Sequence, residues 1–238
     1  MMKNNPEITM NNPQNEGILL VDKEKGKTAF YLIKVLRKKS GIQKIGHAGT
    51  LDPFATGVMI MLIGRPYTKI SDRFLKDDKE YIATIELGKG TDTFDCDGQI
   101  IHTNDSIPTL AHVEKTLSYF QGTIDQIPPM FSAKKIQGQK LYHLARKGIE
   151  IERQPVKVNV KTTLLDYSYP YLKIQVACSK GTYIRSIADE IGKNLGSFGH
   201  LIALERIRSG SFLLEDCIDA KNLSDPSFSY IPHLRKTV

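Results

Sequence analysis

The segment LKIQVAC, residues 172–178, alternates so that Leu172, Ile174, Val176 and Cys178 fall on one side of an extended chain. A period of two belongs to a β-strand with one buried face, and a helix of 3.6 residues per turn scatters those four positions around its axis. GILLVDK (17–23) and YIATIEL (81–87) read as strands of the same sheet. Stretches of helical period separate them. Residues 28–40 form a helix closed by Gly41, and residues 108–121 repeat Leu110, Val113, Leu117 and Phe120 up to Gly122. Residues 182–195 repeat Ile184, Ile187, Ala188, Ile191 and Leu195, with Thr182 as N-cap and Gly196 just beyond the end. Each helix is expected to lay one face on the sheet.

A chain of 238 residues, 40% hydrophobic and 25% charged, has the composition of a folded globular protein with a sizeable core. Cys96, Cys178 and Cys217 stand far apart with no C-x-x-C pair, which supports neither a disulfide framework nor a zinc site and fits a reducing cytoplasm. MMKNNPEITMNNPQNE at the amino terminus lacks the apolar core of a signal peptide, and VMIMLI (58–63) is far short of a membrane span. The expected organisation is a mobile polar tail over 1–16, one main domain over 17–215 and a short extension over 216–238.

Positive charge is concentrated. Residues 22–44 hold eight basic and two acidic side chains, and residues 122–161 hold eight and three, so the two segments exceed the formal net charge of +7 and leave the remainder net acidic. Such clustering is the electrostatic footprint of a polyanion partner, although a solvated lysine face on a helix gives the same local pattern. Residues 124–155 combine a Pro-Pro break, aromatic residues and six basic residues, with KLYHLARKG as a short amphipathic helix. The segment reads as an insertion whose Lys, Arg, Phe and Tyr suit phosphate contact and base stacking.

GHAGTLDP (46–53) packs two glycines, a histidine, an aspartate and a proline into eight positions. Gly46, Gly49 and Gly57 free the backbone for a tight loop, and Pro53 pushes Asp52 into an extended conformation. The Lys-Ser or Lys-Thr of a phosphate-binding P-loop is absent, no further ligands complete a metal site around His47, and no G-x-S-x-G elbow supports a serine hydrolase. From the residues alone, Asp52 is a loop-capping aspartate or a catalytic one. Arg185 likewise has two readings: a surface partner of Asp189 at i,i+4, or a cation at the edge of an apolar helix face that reaches an enclosed carboxylate.

GILLVDK, GHAGTLDPFATGVM, KEY (79–81), GTDTFDCDG (90–98), IPPMFSAKK (127–135), CSKGTYIRSI (178–187) and LERIRSG (204–210) occur in that order. By this series, which spans residues 17–212, the chain resembles the bacterial-type tRNA pseudouridine-55 synthases. It departs from them in two places: DKEKG has Glu24 where a proline usually follows the lysine, and the chain ends at Val238 without the usual small C-terminal RNA-binding domain.

The resemblance implies an α+β fold: a central mixed, mostly antiparallel curved sheet flanked by helices, with residues 124–155 as a basic thumb-like insertion on the RNA. It implies an isomerase that takes a flipped-out uridine of the tRNA T-loop to pseudouridine, with no metal and no cofactor. Asp52 would be the nucleophile, at ribose C1′ or base C6 or through deprotonation at the sugar. Arg185 would be its cationic partner, and Tyr81 would stack on the uracil and help remove the C5 proton. His47, Tyr183, Leu204, Lys23 and Lys180, together with Tyr81, would bind substrate. The charge of residues 22–44 would help hold phosphates. The protein is expected to act on tRNA in the cytoplasm as a monomer, without a membrane or an obligatory protein partner. The alternatives are a silent RNA-binding or RNA-folding module, which has no need of Asp52, Tyr81 and Arg185 together, and the catalytic subunit of an RNA-guided pseudouridylase.

Overall fold

A computed structural model describes residues 13–136 and 138–236. Most of the expected N-terminal tail, residues 1–12, lies outside them. The chain divides into two compact units: one formed by the segments up to Leu75 and from Ser211 onward, the other by Lys76–Gly210.

The first unit opens with a short 3-10 turn at Pro13–Asn15, then β1 (Gly17–Lys23), α1 (Ala29–Ser40), β2 (Ile45–Ala48), β3 (Thr56–Ile63), α2 (Arg65–Thr68) and α3 (Ser71–Leu75). The second unit contains β4 (Lys79–Leu87), β5 (Lys89–Thr91), β6 (Ile100–Thr103), α4 (Leu110–Leu117), β7 (Gln121–Gln126), β8 (Lys135–Ile136), β9 (Gln139–Lys140), α5 (Leu141–Ala145), β10 (Val156–Ser168), β11 (Tyr171–Cys178), α6 (Ile184–Asn194) and β12 (Gly199–Ser209). The chain then returns to the first unit with β13 (Phe212–Leu213) and β14 (Ile218–Asp219).

In the first unit β1 pairs antiparallel with β3 and parallel with β14, while β2 adds to β3 with His47 opposite Met61. Both β1 and β3 are almost wholly buried, and Ile18, Leu20, Val58, Ile60, Leu62, Phe74 and Phe212 form a core on one side of them. The residues after 216 belong to this unit: Ile18 and Arg235 exchange backbone hydrogen bonds at 2.9 Å, and the Lys236 ammonium donates to the carbonyls of Pro13, Gln14 and Glu16. Helix α1 forms where its sequence calls for it. Thr28 accepts from Tyr31 N–H at 3.1 Å at the start, and Gly41 ends it with a φ of 73°, a left-handed conformation that favours glycine.

In the second unit the order is β12-β4-β11-β10-β7, antiparallel throughout, and LKIQVAC buries its alternate residues on β11 as expected. Three expectations are corrected here. The helix expected over 108–121 shortens to α4, because Gln121 turns into β7 and Leu110 is left half exposed. Residues 124–126 of the expected insertion are the end of β7, paired with β10, so the irregular segment begins at Ile127. Thr182 does not cap α6: its hydroxyl donates to the Ser179 carbonyl at 2.9 Å, and Tyr183 occupies the N-cap position.

Helix α6 lies so close to the start of β12 that a Cβ on Gly192 would stand 2.2 Å from Gly199 N and 2.3 Å from Phe198 C. Backbone atoms cannot retreat as a side chain would. Gly192→Ala is therefore expected to cost about 3 kcal/mol and lower Tm by roughly 5–10 °C, measured by thermal unfolding.

Candidate active site

In the first unit, the β2–β3 connection carries Asp52. Leu51, Phe54 and Ala55 are buried on either side of it, and Ala55 N–H donates to the Asp52 carbonyl at 3.1 Å, closing a turn through Pro53 and Phe54. The Asp52 side chain is half-buried. Gly49, with a φ of 75°, supplies the reversal that precedes it.

The end of β1 fixes this turn from below. Lys23 is fully buried, and its ammonium donates to the carbonyls of Lys27 at 2.6 Å, Glu24 at 2.9 Å and Pro53 at 3.1 Å. The Pro53 carbonyl also accepts from Gly26 N–H at 2.8 Å. One residue earlier, Asp22 Oδ1 accepts from Gly57 N–H at 3.1 Å, and burial raises the Asp22 pKa. Lys23, named above for substrate binding, thus stands beneath the loop as its holder. His47 lies on β2 and shares a hydrogen bond between Nε2 and Thr50 Oγ1 at 3.2 Å.

In the second unit, Arg185 sits in the first turn of α6 and is only 5% exposed. Its guanidinium donates to the Thr93 carbonyl at 3.0 Å and the Phe131 carbonyl at 2.8 Å, and lies 3.4 Å from Asp95 Oδ2. Asp189, the surface partner considered above, pairs with Lys193 at 2.6 Å. Asp95 is itself buried, accepting on Oδ1 from Thr93 Oγ1 at 2.6 Å and Asp97 N–H at 3.0 Å.

Helix α6 begins without a side-chain cap of its own. Gln126, fully buried at the end of β7, accepts from Tyr183 N–H at 2.8 Å and donates to the Tyr183 carbonyl at 3.1 Å, while Ser186 Oγ donates to the Ile127 carbonyl at 3.1 Å. The Pro-Pro segment therefore fastens the turn that presents Arg185.

Tyr81 on β4 lies opposite Val176 of β11 and Arg206 of β12, and Leu204 lies opposite Ala83. Tyr81, Ala83 and Ile85 share one face of β4, and Ile85 approaches Gly199 on the side where Gly192 of α6 also meets it. Cross-strand partners point the same way, so Tyr81, Leu204 and Arg206 all face α6. All three are buried. Tyr183 is half-buried at the head of α6, and Lys180 is exposed in the preceding turn.

The structure thus groups Asp52, His47 and Lys23 in the first unit and Tyr81, Arg185, Tyr183, Leu204 and Lys180 in the second. Reasoning from sequence missed Asp95, Gln126 and Arg206. The density of acids in GTDTFDCDG was the available signal for Asp95, whereas nothing local marked the other two.

Residues 37–184 match the model of the TruB family pseudouridylate synthases, N-terminal domain, which is more than half of the chain. A Protochlamydia amoebophila protein named tRNA pseudouridine synthase B is 59% identical over 208 residues, covering 87% of this chain and 79% of that one. A Chlamydia muridarum protein of the same name is 56% identical over 220 residues, covering 92% and 91%. Among solved structures, a chain of a Cbf5-Nop10-Gar1 complex aligns with TM-score 0.72 at 23% identity over 94% of this chain, which spans 60% of that one. That likeness shows the fold alone, an α+β architecture with a mixed and mostly antiparallel sheet. The match over residues 37–184 and the identity over most of both chains lead to one conclusion: this chain belongs to the TruB family of pseudouridylate synthases.

Proposed function

We propose that this chain is a tRNA pseudouridine-55 synthase, an isomerase acting on a uridine of the T-loop with Asp52 as its nucleophile. The Asp52 turn is the observation that carries it. A half-buried carboxylate stands on a turn whose backbone is tied down by Lys23, Gly26 and Asp22. A loop-capping aspartate has no need of such fixing. The tRNA substrate is supported by the names of relatives more than half identical to this chain.

Breaking the bond from ribose C1′ to N1, turning the base and rejoining it through C5 is an isomerisation: the C5 proton is lost and N1 gains one, with no net redox change. Asp52 supplies the carboxylate that adds to the nucleotide. Arg185, held as a buried cation by Asp95 and two carbonyls, supplies the fixed positive charge of the reaction. Tyr81 is the ring against the uracil and the group that assists loss of the C5 proton. His47, Tyr183, Leu204 and Lys180 are substrate-binding groups, and such contacts offset the unstacking of the everted nucleotide. The protein works as a cytoplasmic monomer without a cofactor. An RNA-guided role draws less support, because the likeness to the Cbf5 chain is of fold alone.

Asp52→Asn is expected to bind T-stem-loop RNA within about threefold of wild type and to lose at least ~10³-fold in rate, read as tritium release from uridine labelled at C5 with no guide RNA present. Wild-type turnover in that variant overturns the mechanism. Asp95→Asn removes the ionised partner of a buried guanidinium, so it should cost about 3 kcal/mol and slow turnover at saturating RNA, checked by unfolding and the same tritium assay.

A further inference from the structure

Helix α1 buries Ala29, Leu32, Ile33 and Leu36 on one side. Its other side carries Phe30, Tyr31, Lys34 and Lys38 at helical spacing, and the turn leading into it adds Lys27, so a single outward stripe runs along the helix. Phe30 is 56% exposed. Lys34 Nζ lies 5.1 Å from the Phe30 ring centroid and Lys27 Nζ 4.6 Å from that of Tyr31. No residue of the helix is acidic.

The basic residues of α1 are of two kinds. Arg37 Nε donates to the Gln43 carbonyl at 2.9 Å and Lys39 Nζ to the Asp225 carbonyl at 2.5 Å, so these two fasten the end of the helix. Lys34 and Lys38 make no hydrogen bond or ion pair among the described residues. Basic residues in a last turn complement the helix dipole, which accounts for the end of α1. Lys27 stands at the opposite end, just before the N-cap Thr28, where the dipole is positive and a cation is unfavourable. The helix dipole therefore does not account for Lys27, whose contact within the helix is the Tyr31 ring.

The stripe also begins at the site. Gly26 N–H and the Lys23 ammonium both reach the Pro53 carbonyl next to Asp52, and Lys23 also holds the Lys27 carbonyl. From Phe30 to Lys38 the helix then runs about 12 Å away from that turn, a length that spans more than one phosphate of a nucleic-acid strand.

We propose that Lys27, Phe30, Tyr31, Lys34 and Lys38 form a docking face for the phosphate backbone of the RNA strand that adjoins the target nucleotide, with Phe30 against a ribose or base. This rests on the chain being an RNA-modifying enzyme, and it adds the surface that guides the strand to Asp52.

The test uses the full chain and a tRNA transcript, with dissociation constants measured across a range of NaCl. In Lys34→Gln/Lys38→Gln the slope of log affinity against log salt should shrink by about 2, and the loss should fall on KM. Phe30→Ala should weaken binding roughly tenfold while keeping the slope, since it removes stacking and no charge. Lys27→Glu should raise Tm by roughly 1–3 °C while weakening RNA binding, because its effects on helix and partner are opposite in sign. Slopes and affinities equal to wild type in all variants overturn the proposal. So does loss of binding to phosphatidylserine vesicles in the double variant with RNA binding intact, which would mark a membrane face. If the wild type binds RNA with the expected contrast between variants yet forms no pseudouridine in tRNA, the functional assignment falls and the docking face stands.

Discussion

A buried ammonium sets the geometry of the first unit. Moving an isolated charge of this kind out of water costs on the order of tens of kcal/mol, and charge-assisted hydrogen bonds return about 1.5–3 kcal/mol each. Lys23 is tolerable only because the carbonyls of Glu24, Lys27 and Pro53 converge on it. That convergence joins the end of β1, the entry to α1 and the Asp52 turn into one rigid corner. The departure at Glu24 leaves it intact, because the position contributes its carbonyl and a proline has the same one.

The second unit solves a similar problem at Arg185. Its guanidinium is fixed by Asp95 and by the carbonyls of Thr93 and Phe131, which come from two segments far apart in sequence. Asp95 is in turn held by Thr93 and Asp97, so the charge pair is oriented from both sides. Gln126 adds the missing cap of α6 through a buried amide that satisfies both backbone groups of Tyr183. A pair buried this deeply is weak evidence for stability and good evidence for a fixed cation, because well-packed apolar residues would cost less.

Rigid inner contacts and an outward basic stripe share helix α1. Its apolar side anchors the helix in the core, Arg37 and Lys39 tie off its end, and Lys34 and Lys38 face outward. The Asp52 turn and Arg185 are thus held by satisfied hydrogen bonds, while Lys34 and Lys38 carry charge on outward-facing side chains.

The sequence by itself determined what depends on neighbours in the chain. The alternation of LKIQVAC, the closure of the first helix at Gly41, the buried stripe of Ile184, Ile187 and Ile191, and the turn character of GHAGTLDP all follow from periods and local sterics, and each is present in the structure. The order of motifs carried the family. What tertiary structure alone decided was the partner of each buried polar group. Asp95 rather than Asp189 meets Arg185, Gln126 rather than Thr182 completes the start of α6, and Lys23 turns inward to three carbonyls. The reason is physical: a buried charge must be paired by whatever atoms the fold brings within about 3 Å, and that proximity arises only after segments distant in sequence have packed.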